Sequence, residues 1–417
     1  MLEIFINKNT ENKEIALLEN GHLVEYYTDE ENDLRKEGNI YIGIVKDVIK
    51  GMQAAFIDIG TEKNSFIHLK DLLPKIDETK NNVKNEKSSN IEISQIIKKN
   101  DAILVQVKKD SNALKGARVS THINLPSKYI ALMPDTDIIT ASQKIEDKKE
   151  QERLIKLVKE NITSGNGAII RTSAIGKEKE IIEDIKYIES KWKKIKEKYQ
   201  QEAKTKEPKL IYKSENIIEK MTLDLPDNSL QRILTNDEKE YNRLLKLQKE
   251  NAYLQKAKIE FKKEEILDIY DTKKQIEKLQ NRKVWLKCGG FITIDKTEAL
   301  TAIDVNTGKY TGTKDVEQTI YKVNEEATIE ITKQLRLRDI GGIIIIDYID
   351  MKSNENKEKI QKLLIENLKN DRAKTQVEGF TKLDLMEMTR KHIMSHGDGS
   401  DGTKMSHRDS SCERNQH

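Results

Sequence analysis

Cysteine is nearly missing from this 417-residue chain. Cys288 and Cys412 are the two it carries, and their separation leaves neither a disulfide framework nor a CxxC-type zinc site. A reducing cytoplasm fits that usage. An excess of charge of one sign is also lacking: 74 Lys and Arg face 71 Asp and Glu, a formal charge of +3. Whole-chain charge therefore does not by itself point to nucleic acid. Long hydrophobic runs are missing too, and stretches such as Ile343 to Ile346 fall far short of the ~20 residues that cross a bilayer. The opening MLEIFINKNTENKE has no basic head followed by an apolar run, so a soluble, unexported protein is expected. Hydrophobic residues make up 36%, below the share of about 45–50% (glycine included) usual in globular chains. At ~150 residues per domain, roughly three modest cores joined by solvated helices are expected.

What is present reads as alternating β-rich and helical blocks. Leu2 to Ile6 and the run through Ile15, Leu17 and Leu18 suggest an opening hairpin. From Ile40 to Leu72, short β-rich runs broken at Gly51 and Gly60 predict antiparallel strands closing a small barrel. An exposed polar loop, Asp77 to Asn90, and a strand from Ala102 to Val107 belong to it. A small α/β unit follows, with a helix over Asp147 to Lys159 and a strand and turn over Gly165 to Gly176. Glu178 to Lys204 predicts a long helix with Ile181, Ile182, Ile185, Ile188 and Trp192 on one face. A second charged helical region is expected over Asp237 to Gln280, with a strand near Ile259 left open. From Val284 the pattern becomes a layered α/β or α+β domain with a long helix over Val316 to Leu337. The polar tail from Ser395 is expected to be disordered.

Two apolar strands end in a carboxylate: Ala299 to Val305 carries Asp304, and Ile343 to Ile346 runs into Asp347. Brought together at a sheet edge, such a pair suits a hard cation that takes one or two protein carboxylates, and hence phosphodiester hydrolysis. Asn306 shares the side of Asp304. The plain alternative is that both aspartates start turns or cap helices. Asp295 and Asp350 are comparable but weaker candidates. In the barrel, Phe56 and Phe66 lie near Lys63 and Lys115, an arrangement that stacks single-stranded bases over a positive groove unless both rings are core. Arg171 and Thr172 after an apolar strand suit a terminal phosphate, or form an ordinary surface turn. Arg336, Arg338, Arg372 and Arg390 are each either phosphate contacts or ion-paired side chains. The histidines near and in the tail (His392, His396, His407, His417), with Cys412, are too irregularly spaced for structural zinc.

The strings RKVWLKCGGFITIDKTEALTAIDVNTGKYTG, ATIEITKQLRLRDIGGIIIIDYIDM and FTKLDLMEMTRK resemble the catalytic region of the ribonuclease E/G family. Upstream, GMQAAFIDIGTEKNSFIHLKDL, LKGARVSTHINLPSKYIALMP and GAIIRTSAIGKE resemble its S1-type RNA-binding barrel and its 5′-sensor. The resemblance runs from Met1 to about His392. It implies an α/β and α+β multidomain chain: an RNase H-like subdomain split between 1–38 and 213–281, an S1-type OB barrel at 39–124, a 5′-sensor at 125–212, a DNase I-like catalytic domain at 282–394 and a tail at 395–417. It further implies an Mg²⁺-dependent endoribonuclease of single-stranded, A/U-rich RNA that leaves a 5′-phosphate and a 3′-hydroxyl, acting in ribosomal and transfer RNA processing and messenger decay. In that resemblance Asp304 and Asp347 hold the metal, Asn306 positions Asp304 or the scissile phosphate, Phe56, Phe66 and Lys115 hold RNA, and Arg171 with Thr172 grips a 5′-monophosphate.

Three departures stand out. Asp384 occupies a position where the family usually has Gly, which adds a carboxylate near the catalytic domain. Ser127 stands where the sensor more often has Gly, which implies a tighter pocket. After His392 the likeness stops and the family's paired-cysteine zinc link between protomers has no counterpart, so a homodimer is expected only without that link. A chain that binds RNA but has lost catalysis is the alternative outcome.

Overall fold

The computed structural model describes residues 1–10, 12–30, 36–72, 92–111, 114–250, 254–308 and 316–394. The polar loop over 77–90 and the tail from Ser395 lie outside the described residues.

The chain begins with β1 (Leu2–Lys8), β2 (Asn12–Glu19) and β3 (His22–Glu30). The expected hairpin is thus a three-strand antiparallel meander. Strand β1 is buried on both faces, with Ile4 and Ile6 in one core and Phe5 in another. Such near-continuous burial is what an apolar run flanked on both sides requires.

The barrel follows: β4 (Ile40–Ile49), β5 (Ala54–Asp58), β6 (Ser65–His68), the short helix α1 (Ile93–Ile96), β7 (Ala102–Lys109) and β8 (Arg118–Ser120). Neighbours run β4-β5-β6-β8-β7, and β7 pairs back onto β4, which closes five strands in the manner of an OB fold. Val45, Ala55, Ile57, Ile67, Val105 and Val119 fill its interior.

Next come β9 (Leu125–Pro126), β10 (Ile130–Pro134), β11 (Ile139–Ala141), α2 (Lys148–Asn161), β12 (Asn166–Ile170), α3 (Glu178–Glu202) and β13 (Lys209–Tyr212). Asp147 caps α2 by accepting from the Lys149 N–H at 2.9 Å. Ile181, Ile185, Ile188 and Trp192 on α3 pack against this small sheet together with Ile40, Ile42 and Ile44 of the barrel. Strand β13 joins the barrel by pairing with β4, so the two units share both a core and a sheet.

Helix α4 (Ile217–Asp224) leads to β14 (Leu230–Thr235), α5 (Glu238–Glu250), β15 (Lys258–Phe261) and α6 (Thr272–Glu277). The expected helical block over Asp237 to Gln280 is therefore broken, and the strand left open near Ile259 is β15. Strand β14 inserts beside β1, in a five-stranded order β15-β14-β1-β2-β3 with β1, β14 and β15 parallel. Long-range pairing, which local periodicity does not report, assembles this sheet.

The last sheet consists of β16 (Lys283–Trp285), β17 (Phe291–Lys296), β18 (Leu300–Asn306), β19 (Gly342–Asp347), β20 (Thr375–Phe380) and β21 (Leu385–Arg390). Its order is β16-β17-β18-β19-β21-β20. The segment VWLKCGGFITID is a hairpin turning at Gly289 and Gly290. Helices α7 (Val316–Leu337) and α8 (Asn354–Leu368) cover one face. Val323, Ala327, Ile331 and Leu335, each four residues from the next, meet Ile292, Ile303, Val305, Ile344 and Ile346 there. Among the described residues no element covers the opposite face. Among the described residues no helix is long and apolar enough to cross a membrane.

Candidate active site

Side chains alternate across a sheet, so burying Ile303, Val305, Ile344 and Ile346 under the helices obliges Asp304 and Asp347 to point to the open face. Strands β18 and β19 are parallel, and Asp304 and Asp347 are direct register partners. Neighbouring strands lie about 4.8 Å apart, which sets the two carboxylates side by side. Both are exposed. Asn306 Nδ2 donates to Asp304 Oδ2 at 2.5 Å, which orients that carboxylate. Burial first, then the charges of Asp304 and Asp350, push the Asp347 carboxyl above its ordinary range.

The backbone around the pair is braced from the helical side. Buried Asn324 of α7 donates from Nδ2 to the Ile349 carbonyl at 2.8 Å and accepts from the Ile349 N–H at 3.1 Å. On the other flank, a Cβ at Gly290 would come within 2.8 Å of the Asn306 carbonyl oxygen. The hairpin between β16 and β17 closes against the end of β18 because that Cβ is absent.

Among the described residues neither carboxylate forms a salt bridge, and no cluster of three or more His, Cys, Asp or Glu could enclose a metal by itself. Two adjacent carboxylates with an amide beside them are an oxygen donor set suited to a hard divalent cation that keeps several waters or substrate oxygens. Of the two weaker candidates, Asp350 is exposed and its charge acts on Asp347, whereas Asp295 is committed elsewhere. Asp295 holds Arg282 through two hydrogen bonds. Asp384, at φ 60°, turns its carboxylate to Lys357 at 2.7 Å. That left-handed backbone is tolerated by Asp and Asn and is free for Gly.

In the barrel, Phe56 and Phe66 are register partners on β5 and β6, with ring centroids 6.1 Å apart in an edge-to-face arrangement. Ala55, Ile57 and Ile67 take the interior positions, so both rings lie half-buried on the outer surface and are not core. Lys115 is exposed on the loop that leads to β8. A Cβ at Gly116 would meet the Asn64 carbonyl at 1.9 Å, and the Phe66 N–H donates to the Ala117 carbonyl at 2.7 Å. Glycine thus lets the Lys115 loop lie directly against the strand that bears Phe66.

Arg171 and Thr172 stand at the end of β12, where a groove of about 1600 Å³ separates this unit from the N-terminal sheet and the catalytic sheet. Arg171 donates from Nη1 to the Ser127 carbonyl at 2.9 Å and from Nη2 to Asp224. Thr172 is exposed. Ser127 does not intrude into the groove. Its hydroxyl donates to buried Asp184, which also accepts from the Tyr129 N–H at 2.9 Å. Arg336 and Arg372 are tied to Glu25 at 3.1 and 2.6 Å, and Arg390 is buried against Asp339 and Asp371. For these three the ion-pair reading holds. Arg338 donates to Gln334 at 2.7 Å.

Sequence reading missed Asp184, Asp224 and Trp285. Asp184 had a signal, a carboxylate inside the apolar stripe of α3. Trp285 had the opposite one, an aromatic in an apolar strand that reads as core and stands exposed.

A closed five-stranded barrel of the OB type with an outward aromatic pair, joined to a sheet that offers two aligned carboxylates, fits the class of metal-dependent nucleases. Residues 124–393 match the Ribonuclease E/G family. Ribonuclease G of Escherichia coli K12 is 37% identical over 392 residues, 93% of this chain and 79% of the relative. Ribonuclease G of Haemophilus influenzae is 35% identical over 94% of this chain and 79% of its own length. Ribonuclease E of a Nostoc species is 34% identical over 85% and 51%. The chain belongs to the ribonuclease E/G family, and as a member it is an endoribonuclease, a hydrolase.

Proposed function

We propose that this endoribonuclease cuts single-stranded, A/U-rich RNA in a Mg²⁺-dependent reaction that leaves a 5′-phosphate and a 3′-hydroxyl, in ribosomal and transfer RNA processing and messenger decay. The observation that carries the reading is the register pairing of Asp304 with Asp347 on the open sheet face. These two carboxylates hold the cation, and Asn306 fixes the orientation of Asp304. Bound there, Mg²⁺ would supply Lewis acidity to a water and to the phosphoryl oxygens. Phe56 and Phe66 stack bases, and Lys115 meets the phosphate backbone. Arg171 and Thr172 hold a 5′-monophosphate by charge-assisted hydrogen bonds.

The module boundaries are part of the proposal. The direct pairing of β1 with β14 supports one split RNase H-like unit from 1–38 and 213–281. Barrel closure supports an S1-type unit at 39–124, and the sheet with α7 and α8 supports a DNase I-like unit at 282–394. Residues 125–212 are the 5′-sensor.

The test is cleavage of a short A/U-rich RNA with Mg²⁺ or EDTA by the wild-type chain and by Asp304→Asn. Cutting that needs Mg²⁺, disappears in the variant and yields a 3′-hydroxyl supports the reading. A 3′-phosphate product, the mark of attack by the ribose 2′-hydroxyl, overturns it.

A further inference from the structure

The open face that carries the carboxylates continues sideways into an aromatic and cationic surface. Register runs Lys283, Thr293, Asp304, Asp347 across four adjacent strands, and one row further Trp285, Phe291, Asn306. Directly paired residues share a face, as do residues two apart on a strand, so all seven side chains stand on the same side. Trp285 lies on the edge strand β16 and is 59% exposed, unusual for the largest apolar side chain in the chain. Its indole is 5.4 Å from the Phe291 ring in an edge-to-face contact. The Lys283 ammonium stands 4.1 Å from the indole centroid and 3.4 Å from the Phe291 centroid. Two strand spacings, about 10 Å, separate Trp285 from Asn306.

We propose that Trp285, supported by Phe291 and flanked by Lys283, is a stacking site for one base of the RNA strand within about two nucleotides of the bond that is cut. An exposed indole accepts the face of any base, and a fixed ammonium beside it meets the phosphate of the same strand. The platform is continuous with the carboxylates through Phe291 and Asn306, so a strand laid over Asp304 and Asp347 passes over it. This rests on the proposed role of the carboxylates, and it adds a positioning contact that acts on where the strand is held rather than on the chemistry.

The chain has two tryptophans, and the other, Trp192, is 6% exposed. Binding is read from tryptophan emission of the Asp304→Asn chain in EDTA, titrated with a ten-nucleotide A/U-rich RNA bearing a 5′-hydroxyl. Stacking quenches emission, and Trp285→Phe on the same background removes most of that quench while binding persists. In the otherwise wild-type chain, Trp285→Ala raises KM roughly tenfold, the loss typical of one stacked base, with kcat little changed, and Trp285→Tyr restores it. RNAs with a single abasic nucleotide at successive positions then show one position near the cut that matters to wild type and not to Trp285→Ala. No quench, an unchanged KM and no such position overturn the proposal. The emission arm needs no catalysis: quench without any Mg²⁺-dependent cutting would sink the nuclease mechanism and keep the platform, and cutting indifferent to Trp285 would do the reverse.

Discussion

Asp224, at the C-terminal end of α4, accepts a hydrogen bond from the guanidinium of Arg171, the residue proposed to hold a 5′-monophosphate. The same carboxylate receives Arg372 at 3.1 Å. A phosphate entering the groove must therefore share or displace an anion already in place. Asp224→Asn is expected to raise the rate advantage of 5′-monophosphorylated over 5′-hydroxylated RNA severalfold, and Arg171→Ala to abolish it. The ratio of kcat/KM values for the two substrates reads both, and an Asp224→Asn chain with a reduced ratio would refute competition.

Phe56 and Phe66 touch edge to face, so the two rings proposed to stack bases are expected to act as a unit. Each single change to Ala is expected to weaken binding of a short single strand by about 1–3 kcal/mol, and the double change by less than the sum, because the first removal also loosens the second ring. Equilibrium binding in EDTA measures all three variants. Affinity should fall log-linearly with salt, with a shallower slope in Lys115→Ala if that ammonium neutralises a phosphate.

Glu25 is buried between Arg372 and Arg336 and joins the N-terminal sheet to the catalytic domain. Burial alone would raise its carboxyl pKa, but the facing charges of Arg372 and then Arg336 outweigh it and hold the value below the ordinary 4.5. A carboxylate held low contributes stability that is complete above the unfolded value and is lost as pH falls through the folded one. Thermal stability should thus drop below about pH 4.5, and Glu25→Gln should flatten that decline while lowering the plateau by at most about 3–5 kcal/mol, since Arg372 loses its buried carboxylate and keeps only the more exposed Asp224. Melting curves across pH 3 to 7, roughly the range in which carboxylates titrate, decide it.

Arg390 is fully buried, with Nε donating to Asp371 at 2.7 Å and Nη1 to Asp339 at 2.8 Å. Asp339 also accepts from the Met394 N–H at 2.8 Å, and Met394 packs into the core of the N-terminal sheet. Arg390→Ala should cost about 3–5 kcal/mol by stranding two buried carboxylates. Arg390→Lys should recover only part of it, because an ammonium cannot match the forked geometry. Denaturant unfolding gives the comparison.

Much of the site was legible because it lies in strings with strong local character. The apolar runs ending in Asp304 and Asp347, the β-rich barrel text around Phe56 and Phe66, and the charged helix with one apolar stripe each declare their local structure through period and composition. The resemblance carried by those strings added the roles proposed for them. The sequence also set the glycines at 116 and 290, whose missing Cβ atoms permit close backbone approach.

Other properties depended on pairing between distant segments. The run Ile343 to Ile346 does not alternate, so nothing in it tells which isoleucines face helices. Packing of Ile344 and Ile346 against α7 and α8 decided that, and with it the side on which Asp347 emerges. The helical pattern over Asp237 to Gln280 gave way to β15 because parallel pairing beside β14 supplies hydrogen bonds that charge periodicity cannot foretell. Trp285 stands on the surface because its strand is an edge whose open face no described element covers. Sequence alone determined which residues could do chemistry; the tertiary structure decided which of them share a face, because strand register and layer packing are fixed by contacts between residues far apart in the chain.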